Sequence, residues 1–378
     1  MADFKYKQVA DRLRVCIGEG TFKSGERIPT EPELCEQFNV GRQTLRKAVA
    51  LMEEAGYLKR VQGSGTYVCE REERRSGDFR KNTPEYAVRV PAAEGENRTI
   101  TLVMMNGKSY VFLDIMQGIS EVLTANGYIL NTVITDGDYY KEQLILENML
   151  QNPSAGLLFE PVCSGLLSVN YPLYKEVFSR IPAFMIHMDS VPQFPFIALN
   201  DRQGSKMLAN YLISLGHKRI GTVYSFDEYT GQNRYRGFLD ALREHDIRHI
   251  QRDNVWMFHD RMNDLFEVGG GIALGRMCKE VTAIMCHDDR VASKLIGYLK
   301  KKQIRVPEDI SVVGYDNSLY SQLGVAITTV THPGTEYGKM AADALLQMIY
   351  SPENVDFSRY CVEPELVIRD SAGPPPEV

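Results

Sequence analysis

Four neighbouring side chains, Arg42, Gln43, Arg46 and Lys47, carry the chemistry for reading a base pair. A guanidinium donates two parallel hydrogen bonds to guanine O6 and N7, and a carboxamide pairs with adenine N6 and N7. Each such contact gives about 1 to 3 kcal/mol of discrimination. A second set is spread along the rest of the chain: Tyr110, Phe112, Glu160, His187, Arg234, Asp288 and Asp316. Brought together, their carboxylates would accept hydrogen bonds from hydroxyls, the Arg would donate two to neighbouring oxygens, and a ring would cover an apolar sugar face. That combination suits a neutral polyol. Either set has meaning only if the fold assembles it.

The first set lies in a segment punctuated like a helix-turn-helix. Thr30 followed three residues later by Glu33 is a capping box, in which hydroxyl and carboxylate should each satisfy an orphan backbone donor. The spacing predicts a helix from Glu31 to about Phe38, a tight turn at Asn39-Val40-Gly41 and a second helix from Arg42 to Ala55, ended by Gly56. Leu45, Ala48, Val49, Met52 and Ala55 line its apolar side and leave the basic residues on the other. An earlier helix near 6–19, with Val9, Leu13, Cys16 and Ile17, would complete a three-helix core. After Gly56, two β-branched runs, Leu58 to Val61 and Thr66 to Val68, flank Gln62-Gly63-Ser64-Gly65 and read as a hairpin wing. A basic helix face alone is more often merely solvated; the capped helix, short turn and Gly-rich hairpin beside it favour DNA.

Residues 4–69 resemble the winged-helix domain of GntR-type repressors in the Arg27-Ile28-Pro29-Thr30-Glu31 entry, the Val40-to-Arg46 helix start and the Gln62-to-Val68 wing. By that resemblance the DNA-contacting set is Arg27, Glu31, Arg42, Gln43, Thr44, Arg46, Gln62, Gly63, Ser64 and Gly65, with Lys5 a further member. Gly41 stands where the family has Ser at the helix cap, a change that costs only roughly a few tenths of a kcal/mol.

At 378 residues the chain has room for two or three domains, each with its own core. There is no run of about 18 apolar residues, and Met1 to Lys5 do not open a leader, so a soluble, cytoplasmic protein without a membrane partner is expected. Seven cysteines show neither metal-ligand pair spacing nor a disulfide framework, and reduced thiols are expected. The net charge of −6 argues against a nucleic-acid protein until it is divided. Residues 1–75 hold 14 Lys and Arg against 12 Asp and Glu, whereas the remainder holds 29 against 37. Phosphate contact is thereby confined to the front of the chain.

Residues 71–98 are too polar to bury a core and read as a linker between a head at 1–70 and a body at 99–378. From Thr99 onward, strands are expected at Thr99 to Met105, Tyr128 to Ile134, Gly156 to Phe159, Pro182 to His187, Arg219 to Tyr224, Val255 to Phe258, Thr282 to Met285 and Ile310 to Gly314. Helices fall between them, at Asp114 to Asn126, Lys141 to Gln151, Gly204 to Leu215, Tyr235 to His245 and Val291 to Lys302. Such alternation implies parallel sheets covered on both faces, here in two lobes one after the other. Ligands bind beyond the carboxyl ends of such strands, where the second set falls. Six of the seven have a plainer reading. Asp316 could end a turn, Arg234 could form a surface ion pair, Asp288 could cap a helix, Tyr110 and Phe112 could be core or rim aromatics, and His187 could miss the ligand.

Leu215-Gly216-His217-Lys218-Arg219-Ile220, Arg234-Tyr235-Arg236-Gly237-Phe238, Cys286 to Ala292 and Val306 to Asp316 resemble the effector domain of LacI-type regulators, over residues 98–370. That resemblance implies a two-lobed, periplasmic-binding-protein-like fold of doubly wound parallel sheets, with Arg234, Asp288 and Asp316 at effector contacts; Asp288 stands where Asn is common. The chain is thus expected to be a multidomain α/β protein. A GntR-type head on such a body resembles the arabinose-responsive repressors of Gram-positive bacteria, which share the Glu363-Pro364-Glu365-Leu366-Val367-Ile368-Arg369 ending, and implies L-arabinose as effector. The expected protein is a homodimeric repressor, released by a small sugar from a pseudo-palindromic operator in double-stranded DNA. A solute-binding protein of a sugar transport system is the alternative, but it needs an export signal and leaves the first 70 residues without a task. No cofactor, metal or catalysis is expected: His287-Asp288-Asp289 and His217 lack paired metal-ligand spacing, and no phosphate loop or nucleophile elbow occurs.

Overall fold

The computed structural model describes Val9, Leu13, Ile17 and residues 22–23, 25–38, 40–54, 57–61, 65–69, 97–107, 109–188, 194–267, 271–350 and 359–377. The chain divides into two compact units, residues 1–90 and 91–378, and each is described by itself.

In the first unit, α1 (Glu31–Phe38) and α2 (Arg42–Glu54) start where their caps and turn predict. At the start of α1 the Glu33 carboxylate accepts from both the Thr30 N–H and the Thr30 hydroxyl, each at 2.7 Å. The hydroxyl therefore engages the carboxylate, where the expected box had it serving a backbone donor. Leu45, Ala48 and Met52 of α2 are buried against Leu34 and Phe38 of α1 and the helical Leu13. Strands β1 (Leu58–Val61) and β2 (Gly65–Val68) pair antiparallel, with Leu58 opposite Val68 and Val61 opposite Gly65. Lys5, Ala55, Gly56, Gln62, Gly63 and Ser64 lie outside the described residues, as do most of the 6–19 helix and of the 71–98 segment.

The second unit is built of two parallel sheets. Its elements are β3 (Thr99–Met104), α3 (Tyr110–Ala125), β4 (Ile129–Ile134), α4 (Tyr139–Gln151), β5 (Gly156–Phe159), α5 (Tyr171–Arg180), β6 (Ala183–Ile186) and β7 (Phe196–Leu199). They continue with α6 (Asp201–Ser214), β8 (Ile220–Ser225), α7 (Tyr229–Glu244), β9 (Asn254–Met257), α8 (Gly271–Met277), β10 (Ala283–Cys286), α9 (Asp289–Lys301) and β11 (Ser311–Val313). Last come β12 (Thr329–Val330), α10 (Gly334–Tyr350), β13 (Arg359–Val362) and β14 (Leu366–Val367). The first lobe's sheet has the order β13-β7-β6-β5-β3-β4 and the second lobe's β11-β10-β8-β9. In the first lobe, α3 and α10 cover one face through Phe112, Ile119, Tyr337 and Leu345, and α4 and α5 cover the other through Leu146, Tyr174 and Val177. In the second, α6 and α7 lie opposite α8 and α9. Continuous apolar strands buried on both faces are what such covering requires.

The lobes are interleaved, where the alternation predicted them one after the other. Helix α10 returns from the second lobe to pack on α3, and β13 extends the first sheet beside β7. Strand β7 is buried along its length, so its outer edge needs a backbone partner, and β13 supplies it. The crossings lie side by side: Asn200 N–H donates to Val362 O and Thr331 N–H to Glu365 O, each at 2.8 Å, and β12 pairs with β14.

Helices α3 and α10 cross backbone against backbone. A Cβ on Gly118 would sit 2.0 Å from Thr335 O, and one on Gly338 would sit 2.1 Å from Ile115 O. Backbone cannot yield like a flexible side chain, so Gly118→Val is expected to destabilise the second unit by about 3 kcal/mol, the upper end for overpacking. A urea titration followed by tyrosine fluorescence measures this. An unchanged midpoint would mean that the helices do not cross so closely.

Candidate functional site

Helix α2 presents Arg42, Gln43, Arg46 and Lys47 to solvent, keeps Thr44 half-buried and turns Leu45 inward. Arg46 Nε donates to both oxygens of the Glu31 carboxylate, at 3.1 and 2.9 Å, so two of the expected DNA-contacting residues meet. With Arg46 63% and Glu31 37% exposed, the pair adds little to stability, about 0 to 1 kcal/mol, and its effect is to hold the guanidinium in one orientation. Arg27 lies against the wing: a Cβ on Gly65, whose φ is +129°, would come within 2.5 Å of Arg27 Nε.

In the second unit the seven expected effector residues line one cleft between the lobes. Tyr110 and Phe112 come from the first turn of α3, Glu160 follows β5, His187 follows β6, Arg234 lies in α7, Asp288 follows β10 and Asp316 follows β11. Strand ends, gathered by two sheets that face each other, bring them together.

Arg234 is the buried hub, 4% exposed, and not a surface pair. Its Nε donates to Asp201 Oδ1 at 2.7 Å, its Nη2 lies 3.4 Å from Asp316 Oδ1, and its Nη1 donates to the His287 carbonyl. The guanidinium sits 3.7 Å over the Tyr315 ring. Burial opposes its charge, but Asp201 and Asp316 outweigh burial and hold its pKa above the ordinary arginine value. Asp316, left-handed at φ 97°, accepts from the Tyr110 hydroxyl at 2.6 Å, which joins the two lobes across the cleft. Burial, with the charges of Asp288 and Asp316, pushes that hydroxyl well above its usual pKa, so it stays a donor.

Asp288 plays the plainer role and also faces the cleft: its Oδ1 accepts from Val291 N–H at 2.6 Å and caps α9. His187, at φ 59°, places Nδ1 3.1 Å from Glu160 Oε1 and stacks on Tyr337 at 5.1 Å. Glu160 Oε2 accepts from Met105 N–H at 2.8 Å. Phe112 is 5% exposed and belongs mainly to the core, edge-on to His187.

The cleft also holds Asp201, Glu228, His259 and His332, which sequence reasoning missed, and His287, which it weighed only as a metal ligand and set aside. Glu228 Oε2 lies 3.0 Å from His259 Nδ1 and 2.9 Å from His287 Nε2. Burial raises the Glu228 pKa, yet the two imidazoles hold it well below the usual carboxylate range, and the Glu228 charge lifts His259 to about 9. Asp201 went unread because β7, four residues long, went unread; His259 stands two residues after β9, where the same strand-end rule reaches it. His217 plays no part, being bonded to Thr282 and to the Gly373 carbonyl at 2.8 Å each. Among the described residues, His187 Nε2, His259 Nδ1 and His332 Nδ1 are buried without a hydrogen-bond partner, and buried polar atoms of this kind need one. The cleft is thus prepared for a polar ligand.

Removing the inter-lobe hydrogen bond tests whether it serves ligand binding in the cleft. Tyr110→Phe is expected to weaken effector binding by about 1.5 kcal/mol, the lower range for a bond to a charged group, and to leave DNA binding of the sugar-free protein intact. Calorimetry reads the first and fluorescence anisotropy the second; unchanged effector affinity would exclude such a role.

Residues 5–68 match the family described as bacterial regulatory proteins, gntR family, and residues 209–372 match the periplasmic binding protein-like domain. Over 372 residues the chain is 31% identical to the arabinose metabolism transcriptional repressor of Geobacillus stearothermophilus, covering 97% of each. The chain belongs to the GntR family of bacterial regulatory proteins. The arabinose metabolism transcriptional repressor of Halalkalibacterium halodurans is 30% identical, over 98% of this chain and 96% of its own. Among solved structures, the transcription regulator CcpA of Lactococcus lactis matches 73% of this chain and 100% of its own with a TM-score of 0.65 and 21% identity. A periplasmic binding protein/LacI transcriptional regulator from Alkaliphilus metalliredigens, complexed with D-xylulofuranose, matches 73% and 99% with a TM-score of 0.62 and 22% identity. These structural likenesses show the fold alone. This GntR-family member is a sugar-responsive transcriptional regulator with a LacI-like effector domain, and it is not an enzyme. Among the described residues no helix is long and apolar enough to cross a membrane.

Proposed function

We propose that this GntR-family regulator is a homodimeric cytoplasmic repressor of sugar-utilisation genes that leaves its operator when L-arabinose closes the cleft. The observation that carries the reading is the similarity, along nearly the whole chain, to two arabinose metabolism repressors with head and body in the same order. The cleft's chemistry agrees with a neutral sugar. Glu160, Asp201, Glu228, Asp288 and Asp316 offer acceptors to hydroxyls, and among the described residues lining the cleft Arg234 is the one Arg or Lys, so these residues together disfavour a phosphorylated or acidic effector. In this reading Tyr110, Phe112, Glu160, His187, Arg234, Asp288 and Asp316 form the effector set, with Asp201 added. Arg27, Glu31, Arg42, Gln43, Thr44, Arg46 and the wing hold DNA, with Lys5 at its edge. Residues 1–70 form the head, 71–98 the linker and 99–378 the sensing and dimerising body. Two copies of α2 would read the half-sites of a pseudo-palindrome.

A gel shift on DNA upstream of the regulated genes, with and without a panel of pentoses, tests the proposal. The expected result is a band that dissolves with L-arabinose and persists with its phosphate ester. No band at any salt concentration would end the DNA reading, and a band indifferent to every sugar would end the effector reading.

A further inference from the structure

We propose that Glu228, His259 and His287 form a site for a divalent transition-metal ion on the second-lobe wall of the effector cleft. The three donor atoms, Glu228 Oε2, His259 Nδ1 and His287 Nε2, lie within 4.8 Å of one another, and all three residues line the cleft. They follow β8, β9 and β10, which are neighbours in one sheet, so the platform that holds them is rigid. Ligands about 2.0 to 2.1 Å from a tetrahedral ion stand roughly 3.3 Å apart. The carboxylate oxygen is now 3.0 and 2.9 Å from the two nitrogens, so these two edges open by a few tenths of an ångström, on the order of 0.4 Å, to take the ion, while the two nitrogens, within 4.8 Å of each other, settle to the same spacing.

A second observation points to a missing ligand. His259 Nδ1 is buried 3.0 Å from the carboxylate, yet out of line for a hydrogen bond with it, and among the described residues it has no other hydrogen-bond partner. The charge of Glu228 draws it to that side, and a direction off the line to the oxygen fits an ion held among the three. The backbone of His259 is fixed by Asp227, whose Oδ1 accepts from His259 N–H at 3.1 Å and from Ser225 Oγ at 2.5 Å. Its outer nitrogen, Nε2, faces the Asn106 side-chain amide at 3.5 Å, and that amide, turned over, offers the oxygen that orients a metal-bound imidazole. His287 Nδ1 lies 3.5 Å from the Ser225 amide, too long a contact to fix one tautomer.

Two imidazoles and a carboxylate favour zinc, cobalt, nickel or ferrous iron, whereas calcium and magnesium prefer all-oxygen sites. Three protein ligands leave a position open towards the cleft, for water or for a hydroxyl of the bound effector. Metal binding is tested without sugar, so its failure leaves the sugar reading intact.

The experiment uses the full chain stripped with chelator and dialysed. Zn2+ is titrated calorimetrically, and Co2+ is titrated while its visible absorption is followed. The expected result is one equivalent of Zn2+ per chain and an intense cobalt spectrum of low coordination number. Glu228→Gln and His287→Asn should each weaken Zn2+ binding at least ~100-fold, beyond what loss of a supporting contact does, while the exposed His245→Gln leaves it unchanged. Circular dichroism of the metal-free variants checks that they fold. A wild-type chain that binds less than half an equivalent, gives only the faint spectrum of aqueous cobalt, or loses equal affinity in His245→Gln overturns the proposal, whether or not the variants fold.

Discussion

Arg234→Ala is expected to weaken sugar binding at least ~100-fold, about 2.7 kcal/mol, and to leave the protein on its operator at sugar concentrations that release the wild type. The guanidinium is buried in the cleft and bonds two carboxylates, Asp201 after β7 and Asp316 after β11. Without it, Asp201 is buried with no cation beside it and Asp316 keeps only the Tyr110 hydroxyl, which costs about 3 to 5 kcal/mol of stability in the second unit. Lysine is no substitute, because one ammonium cannot span Asp201, Asp316 and the His287 carbonyl while lying on the Tyr315 ring. Calorimetry with L-arabinose and a gel shift with added sugar read the two effects, and a melting curve separates lost binding from lost fold. An Arg234→Ala protein that folds and still leaves DNA with sugar would remove the residue from the effector site.

Arg46→Ala is expected to lower operator affinity by about 1 to 3 kcal/mol for each half-site it reads, and therefore to act twice in a dimer. The side chain is exposed on α2 and oriented by Glu31, so its removal disturbs no core. Glu31→Gln should have a smaller effect in the same direction, because it frees the guanidinium without deleting it. Fluorescence anisotropy with operator duplex at fixed salt measures both, since phosphate contacts alone change strongly with ionic strength. Sugar binding should be unchanged in both variants. Loss of sugar binding in Arg46→Ala, or undiminished operator affinity, would break the assignment of reading to the front unit and sensing to the rear.

The front unit was legible because its signals are local. Thr30, Glu33 and Gly41 mark helix ends within a few residues, and the structure begins α1 and α2 at Glu31 and Arg42. The cleft was legible to the extent that strands were: the strands read before Glu160, His187, Asp288 and Asp316 placed those residues at the site, whereas the one ending at Ile134 placed none there. What was hidden depends on tertiary pairing. Strand β7 has only Phe196 to Leu199 to announce it, and β13 reaches it after α10 has crossed from the other lobe. Periodicity describes one element at a time and cannot say that α10 belongs with α3. For the same reason spacing gave no hint of Glu228, His259 and His287 as a cluster. They are about 30 residues apart and meet only because β9, β8 and β10 lie side by side.

In the proposed function, occupancy of the cleft and grip on DNA are one linked equilibrium. L-arabinose is titrated calorimetrically into the full chain, alone and saturated with operator duplex. Sugar is expected to bind more weakly on DNA, by the same factor by which it weakens operator binding, typically about 5- to 150-fold. Equal sugar affinity with and without the duplex, while the protein remains bound to it, would mean that the two sites are not linked.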